Sequence, residues 1–376
     1  MKVLFIGGTG RLSKDVAKFS LSRGWEVYLL TRGTKEREKF VDKRYHMVYG
    51  DIRQPIECQQ ILKDYDFDVV IDFLSYNVEQ LKQTLAIIEN KYKQFIFIST
   101  ATVYKKKNED EIISENTTGI GNDNWDYAYD KYKCEKYLEN YFDNKSEDYT
   151  IIRPYVTYGN TRVPYPLVPL ENSKEWSLVN RIIEGKEIPI FDKDEKRTTL
   201  THTKDFAIGV VGLFLNKKAY GEAFHITSDV NVTWGKVLLT IGDVLGKEVK
   251  IVDLSQEKIY TSLEEYKGVL IGDKGNNMIF DNSKIHDAVP EFKTNILLYE
   301  GIKDMIKFYQ SNYNLQKVDY TWDGKIDYLL KKELGIKLYP NKNIKGANFI
   351  KYYIGRYSTF YCLYNMLRKL KSIIIR

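Results

Sequence analysis

The sequence predicts an α/β fold in which a doubly wound parallel sheet carries helices on both faces, followed by a smaller C-terminal lobe. Three observations lead there. Strand and helix patterns alternate through the first half of the chain. Runs such as Val69-Val70-Ile71 and Phe95-Ile96-Phe97-Ile98 are apolar throughout, as strands buried on both faces require. The first strand breaks into glycines immediately before a helix.

Strand one covers Val3-Leu4-Phe5-Ile6, and Gly7-Gly8-Thr9-Gly10-Arg11-Leu12 turns it into a helix over about residues 12–23. Gly7 suits a tight turn, Gly10 lets the backbone approach a ligand without a Cβ in the way, and the helix start offers unpaired N–H groups to a phosphate. Ser13 stands where a third glycine is usual in such turns, and its small side chain is compatible with close helix-to-strand packing. A strand at 25–30 follows, so the whole predicts a Rossmann-type dinucleotide site.

Thr31-Arg32-Gly33 closes the second strand where an acidic residue would accept from a ribose 2′-OH. No carboxylate stands there, and the Arg32 guanidinium can fork onto a 2′-phosphate. NADP(H) is therefore the favoured cofactor, with NAD(H) as the alternative. Asp51-Ile52 ends a third strand at 45–49 and is expected near the adenine. Phe73-Leu74-Ser75 at the end of a fourth strand (68–73), Ser99 at the end of a fifth (94–99) and Tyr155 after a sixth (149–153) complete the expected cofactor edge.

The reactive groups are sought at the carboxyl ends of the strands, where open α/β sheets bind ligands. Thr100-Ala101-Thr102 follows the fifth strand. The segment Trp125 to Glu135 contains Tyr-x-x-x-Lys twice, as Tyr127/Lys131 and Tyr129/Lys133, and a spacing of four brings a phenol and an ammonium onto one helix face. Such an ammonium favours the phenolate, which can take a proton from a sugar or alcohol hydroxyl while a nicotinamide takes the hydride.

Together these residues make the chain resemble the extended short-chain dehydrogenase/reductases, within them the NAD(P)-dependent epimerase/dehydratase group acting on nucleotide-linked sugars. The resemblance covers roughly residues 1–309, and includes Ile152-Arg153-Pro154, Tyr158-Gly159 and His202-Thr203-Lys204-Asp205-Phe206-Ala207. It implies Tyr127 as acid/base, Lys131 as its partner and ribose ligand, and Thr100 as the hydroxyl that orients the sugar. Glu135, four residues after Lys131, matches the family pattern, leaving Tyr129/Lys133 as the alternative pair. Ala101-Thr102 replaces the Asp-Glu of the 4,6-dehydratases, so an epimerase or 4-ketoreductase is implied rather than a dehydratase. Thr100, Ala101, Thr102, Tyr155 and Arg197 are the expected contacts to a nucleotide-diphosphate sugar, and a homodimer paired through two helices is usual in the family. Arg153 precedes a proline at a buried strand end, a structural position.

Composition bounds the rest. The 376 residues, 43% hydrophobic and 29% charged, suit two folded domains: residues 1–158 with 197–228 as the dinucleotide domain, and 159–196 with 229–335 as the lobe. Cys58, Cys134 and Cys362 are isolated and the four histidines scattered, which predicts neither disulfides nor a metal centre and a cytoplasmic setting. No apolar run is long enough to span a bilayer, and the N-terminus reads as a core strand. Residues 340–376 hold eight Lys or Arg and no Asp or Glu, so removing their +8 from the net +6 leaves −2 on the remainder. Residues 336–376 form a basic aromatic tail, of which 349–376 reads as an amphipathic helix, resting on an anionic membrane surface or docked on the enzyme or a second subunit. Nucleic acid is the less favoured partner, although basic residues interleaved with Tyr suit RNA and some relatives of the family bind it. A cofactor-binding, non-catalytic protein acting through the tail is the alternative function.

Overall fold

The apolar runs of the first half pair side by side in one seven-stranded sheet. In the computed structural model, residues 1–33, 42–143 and 148–357 are described. The elements in order are β1 (Lys2–Ile6), α1 (Ser13–Ser22), β2 (Glu26–Thr31), β3 (His46–Tyr49), α2 (Pro55–Ile61), β4 (Phe67–Asp72), α3 (Val78–Ile87), β5 (Tyr92–Ile98), α4 (Asp126–Phe142), β6 (Asp148–Pro154), α5 (Thr203–Gly212) and β7 (Glu222–Ile226). The strand order is β7-β6-β5-β4-β1-β2-β3, with every neighbouring pair parallel.

Strand pleating sends alternate residues to opposite faces. Val3, Phe5, Val69, Ile71, Ile96 and Ile98 meet Val16 and Leu21 of α1 and Phe206 and Val210 of α5. Leu4, Ile6, Val70, Phe95 and Phe97 meet Cys58 of α2, Leu81 and Leu85 of α3 and Cys134 and Leu138 of α4. The two-sided apolar runs are thus explained by two separate cores.

The chain divides into two compact units, the first comprising Met1–Gly159, Thr198–Asn231 and Ile271–Leu297. The last of these segments differs from the sequence expectation, which put it in the lobe. Ile285, Val289 and Phe292 fill the core beneath α5, and Phe280 bridges Ile113, so hydrophobic burial recruits the segment to the sheet.

The second unit holds Asn160–Arg197, Val232–Leu270 and the chain from Leu298 onward. In it Ile188–Phe191 pairs in parallel with Ile251–Leu254. Its helices include Trp176–Ile183, α6 (Trp234–Leu245), α7 (Leu298–Ser311), α8 (Tyr320–Leu334) and α9 (Gly346–Arg356). The sequence signals for α6 are local: Thr233 caps its start by accepting from the Lys236 N–H, and Gly246 ends it in the left-handed conformation.

Helices α8 and α9 pack as a hairpin. A Cβ on Gly324 would strike the Tyr352 carbonyl, and one on Gly355 the Thr321 carbonyl, so the two backbones touch where both helices carry glycine. Behind them Arg181 pairs with Asp323 (2.5 Å) and Asp327 (2.6 Å), Lys186 with the same two carboxylates, and the Tyr352 hydroxyl donates to Asp327 at 2.7 Å. Two buried cations thereby face two buried anions. The predicted tail helix is realised in part as α9, its inner side docked on α8. The remainder of that expectation, residues 358–376, lies outside the described residues, and no described helix is long and apolar enough to cross a membrane.

Candidate active site

Gly7 leaves β1 at φ +88°, and a Cβ there would lie 2.7 Å from the Leu74 side chain; a Cβ on Gly8 would lie 2.5 Å from Leu29. Neither position admits a larger residue. Ser13, in the place of the third glycine, ties the turn. Its hydroxyl donates to the Gly7 carbonyl (2.7 Å) and accepts from the Gly10 N–H (2.9 Å). α1 has no side-chain cap at its start, and the Lys14 N–H of its first turn donates to the Gly10 carbonyl at 3.2 Å, which closes the turn onto the helix. Thr9, Arg11 and Leu12 in this turn are half-buried, Leu12 packed against the core. The cradle has the form that suits the pyrophosphate of a dinucleotide, and the backbone of Gly7 to Leu12 is what would hold it.

The ends of β1, β4 and β5 lie side by side, and Lys131 of α4 reaches across two of them. Its ammonium donates to the Ser75 carbonyl (2.6 Å) after β4 and the Ile98 carbonyl (2.7 Å) at the end of β5. The Tyr76 and Phe97 rings flank it at 4.9 and 4.7 Å. Burial pushes the Lys131 pKa down to about 8, against the opposing pull of the Asp72 carboxylate. Asp72 is itself fully buried, and desolvation raises its pKa. Its Oδ1 accepts from the Leu74 N–H (2.7 Å) and the Ser75 N–H (3.2 Å), while Oδ2 has no hydrogen-bond partner among the described residues.

Tyr127, one turn before Lys131, is half-buried, its ring 5.0 Å from Trp125 and 6.3 Å from Tyr76. The second pair has a different setting. Tyr129 is 41% exposed, and Lys133 is exposed and forms an ion pair with Asp130 at 2.5 Å.

Glu135 points inward one turn beyond Lys131. It receives the Ser99 hydroxyl (2.5 Å) and both arms of Arg153 (3.0 and 2.7 Å) in a fully buried cluster. The Ser99 hydroxyl and the Arg153 fork are therefore engaged inside the protein. Thr100 caps the short turn Ala101–Val103, accepting from the Thr102 N–H at 3.3 Å, and its hydroxyl lies 3.1 Å from that of Thr102. Ala101 is fully buried.

The other expected contacts are distributed along the same edge, except one. Thr31 and exposed Arg32 close β2, and Asp51, half-buried with Ile52, accepts from the Arg53 N–H at 3.0 Å. Phe73 stacks on Phe5, and Leu74 covers Gly7. Tyr155 is buried, its hydroxyl toward Thr198 and Asp273, and burial holds that phenol well above its ordinary pKa. Arg197 belongs to the second unit, at the exposed start of the strand Arg197–Thr199. Trp176, Trp234 and Trp322 are buried packing residues. Sequence reasoning passed over Asp72, although a carboxylate closing the run Val69-Val70-Ile71 was a visible signal.

A seven-stranded parallel sheet of this order, with a glycine cradle after β1 and a buried lysine above β4 and β5, defines a dinucleotide-binding α/β protein. The chain belongs to the NAD dependent epimerase/dehydratase family, whose profile matches residues 3–227. It is 27% identical over 249 residues to the chloroplast stem-loop binding protein of 41 kDa b of Arabidopsis thaliana, a match covering 62% of this chain and 60% of that protein. It is 31% identical over 128 residues to a UDP-glucose 4-epimerase of Klebsiella pneumoniae, covering 28% of this chain and 92% of that one. The UDP-glucuronic acid 4-epimerase of Bacillus cereus, solved with UDP-glucuronic acid and NAD, shares the fold at a TM-score of 0.66 and 18% identity, over 83% of this chain and 99% of that one.

Proposed function

We propose that the protein is an NAD(P)-dependent nucleotide-sugar epimerase or 4-ketoreductase. The carrying observation is Lys131, a buried ammonium held by two strand-end carbonyls one helical turn from Tyr127. The nicotinamide supplies a hydride acceptor or donor at a sugar carbon. Tyr127 takes the proton from the sugar hydroxyl and returns it, Lys131 favours the phenolate and binds the nicotinamide ribose, and Thr100 hydrogen-bonds the reacting oxygen. The packing of Lys131 against the sheet supports this pair over Tyr129/Lys133, whose lysine is in solvent. Ala101 and Thr102 offer no acid or base for elimination of water.

Arg32 supports NADP(H), and similarity to a 4-epimerase solved with NAD supports NAD(H). A nucleotide-diphosphate sugar as substrate, a homodimer and a cytoplasmic setting belong to the same reading. Mass spectrometry of the dinucleotide released on denaturation distinguishes its branches. Stoichiometric NAD means that hydride is borrowed and returned by an epimerase, and NADP(H), or an empty site preferring NADPH, means a reductase. Tyr127→Phe is expected to lower turnover at least about a hundredfold with dinucleotide binding retained. A phenylalanine variant with most of its activity refutes the assignment.

The likeness to a stem-loop binding protein and the basic tail favour one second reading, a cofactor-binding protein that acts on RNA. Loss of RNA binding on deletion of the residues after Pro340, with dinucleotide binding kept and no catalytic activity in either form, would select it.

A further inference from the structure

Helix α9 has two unlike faces. Tyr352, Gly355 and Arg356 turn toward α8 and are buried. On the other side Phe349, Tyr353 and Tyr357 follow at four-residue spacing, one helical turn apart, their rings 4.7 and 6.0 Å from each other in succession. Ile350 and Ile354 extend this strip around the helix. Ile350 is 61% exposed and Phe349 43%, so the outward face is richer in large apolar groups than water tolerates without cost. Exposed Lys342, Lys345 and Lys351 border it. Beyond Glu333 the chain contains no carboxylate side chain.

We propose that this face is a peripheral docking surface for an anionic phospholipid membrane. The aromatic rings and the two isoleucines enter the boundary between headgroups and acyl chains, and the lysines pair with lipid phosphates. Apolar insertion and cationic attraction are each weak alone, and their combination is what holds a peripheral protein at a bilayer. The charge pattern argues for lipid over a second copy of the chain, which would bring an identical cation-only border against itself. The aliphatic part of the strip argues for lipid over RNA. Bases stack on aromatic rings, whereas Ile350 and Ile354 gain from hydrocarbon.

The test is flotation of the full chain with vesicles of phosphatidylcholine alone and of phosphatidylcholine with about 30% phosphatidylglycerol, at low and high salt. Binding is expected to be at least about tenfold stronger to the anionic vesicles and weakened by salt. The double variant Phe349→Asp/Ile350→Asp and the triple variant Lys342→Glu/Lys345→Glu/Lys351→Glu are each expected to lose at least about tenfold in partitioning. Unchanged thermal unfolding and dinucleotide binding would show both variants folded. Equal binding to both vesicle types, binding to neither, or variants that float like the parent chain overturn the proposal. Capture of a stem-loop RNA without vesicle binding, or self-association abolished by the double variant without vesicle binding, reassigns the strip to nucleic acid or to a second copy.

Discussion

Asp72 holds one oxygen on the backbone of the turn that presents the Ser75 carbonyl to Lys131 and brings Leu74 over Gly7. Asp72→Asn keeps an oxygen that can accept those N–H bonds and removes the charge. The ammonium of Lys131 loses its nearby anion, so its pKa falls further below about 8. The alkaline limb of the pH–rate or pH–binding profile is then expected to move to lower pH, with Asp72→Ala weaker in both binding and stability; an unmoved limb in Asp72→Asn would show no electrostatic role. The linkage has a definite sign. The folded value of Lys131 lies below the unfolded one, so the cost of burying its charge is fully present below about pH 8 and is relieved as pH rises toward the ordinary lysine value. In the same interval the ammonium proposed to favour the Tyr127 phenolate is lost, so stability and activity are expected to diverge there.

Two element contacts carry comparable stakes. α4 is joined to β5 and β6 by the buried Glu135, Arg153 and Ser99 cluster, and α8 to α9 by facing glycines and the charges around Asp327. Arg153→Met strands a carboxylate in the core and is expected to cost about 3–5 kcal/mol in denaturant unfolding, while Arg153→Met/Glu135→Leu recovers most of it. Gly355→Val forces the hairpin backbones apart at a cost of about 3 kcal/mol, read as a lower unfolding midpoint. A valine variant with unchanged stability would mean that the helices do not approach closely there. The amphipathic character of α9 was visible in the sequence, but which side docks was not, because both sides carry tyrosines and cations. Contact with α8 selects the side bearing Gly355.

At the scale of the whole chain, charge and cofactor binding are the measurable properties. The +8 gathered after residue 339 sits on a remainder of −2, so adhesion to anionic surfaces is expected to fall steeply with salt while dinucleotide binding by the first unit changes little. A dinucleotide present at about a hundred times its dissociation constant stabilises the protein by about 2.7 kcal/mol. NADPH is expected to raise the unfolding temperature more than NADH at equal concentration, the outcome Arg32 argues for; the reverse order would leave that guanidinium without a role in cofactor choice.

The sequence by itself determined the sheet, the glycine cradle and the helix bearing Tyr127 and Lys131, because each rests on local signals: two-sided apolar runs, a backbone turn only glycine permits, and a four-residue spacing. The tertiary structure alone decided that Lys131 rather than Lys133 is buried, that Ser99 and Arg153 are engaged by Glu135, that Asp72 braces the Ser75 turn, and that residues 271–297 complete the first core. These depend on partners far apart in the chain, brought together by strand order and by competition for buried surface. Such choices arise only when the whole fold is assembled.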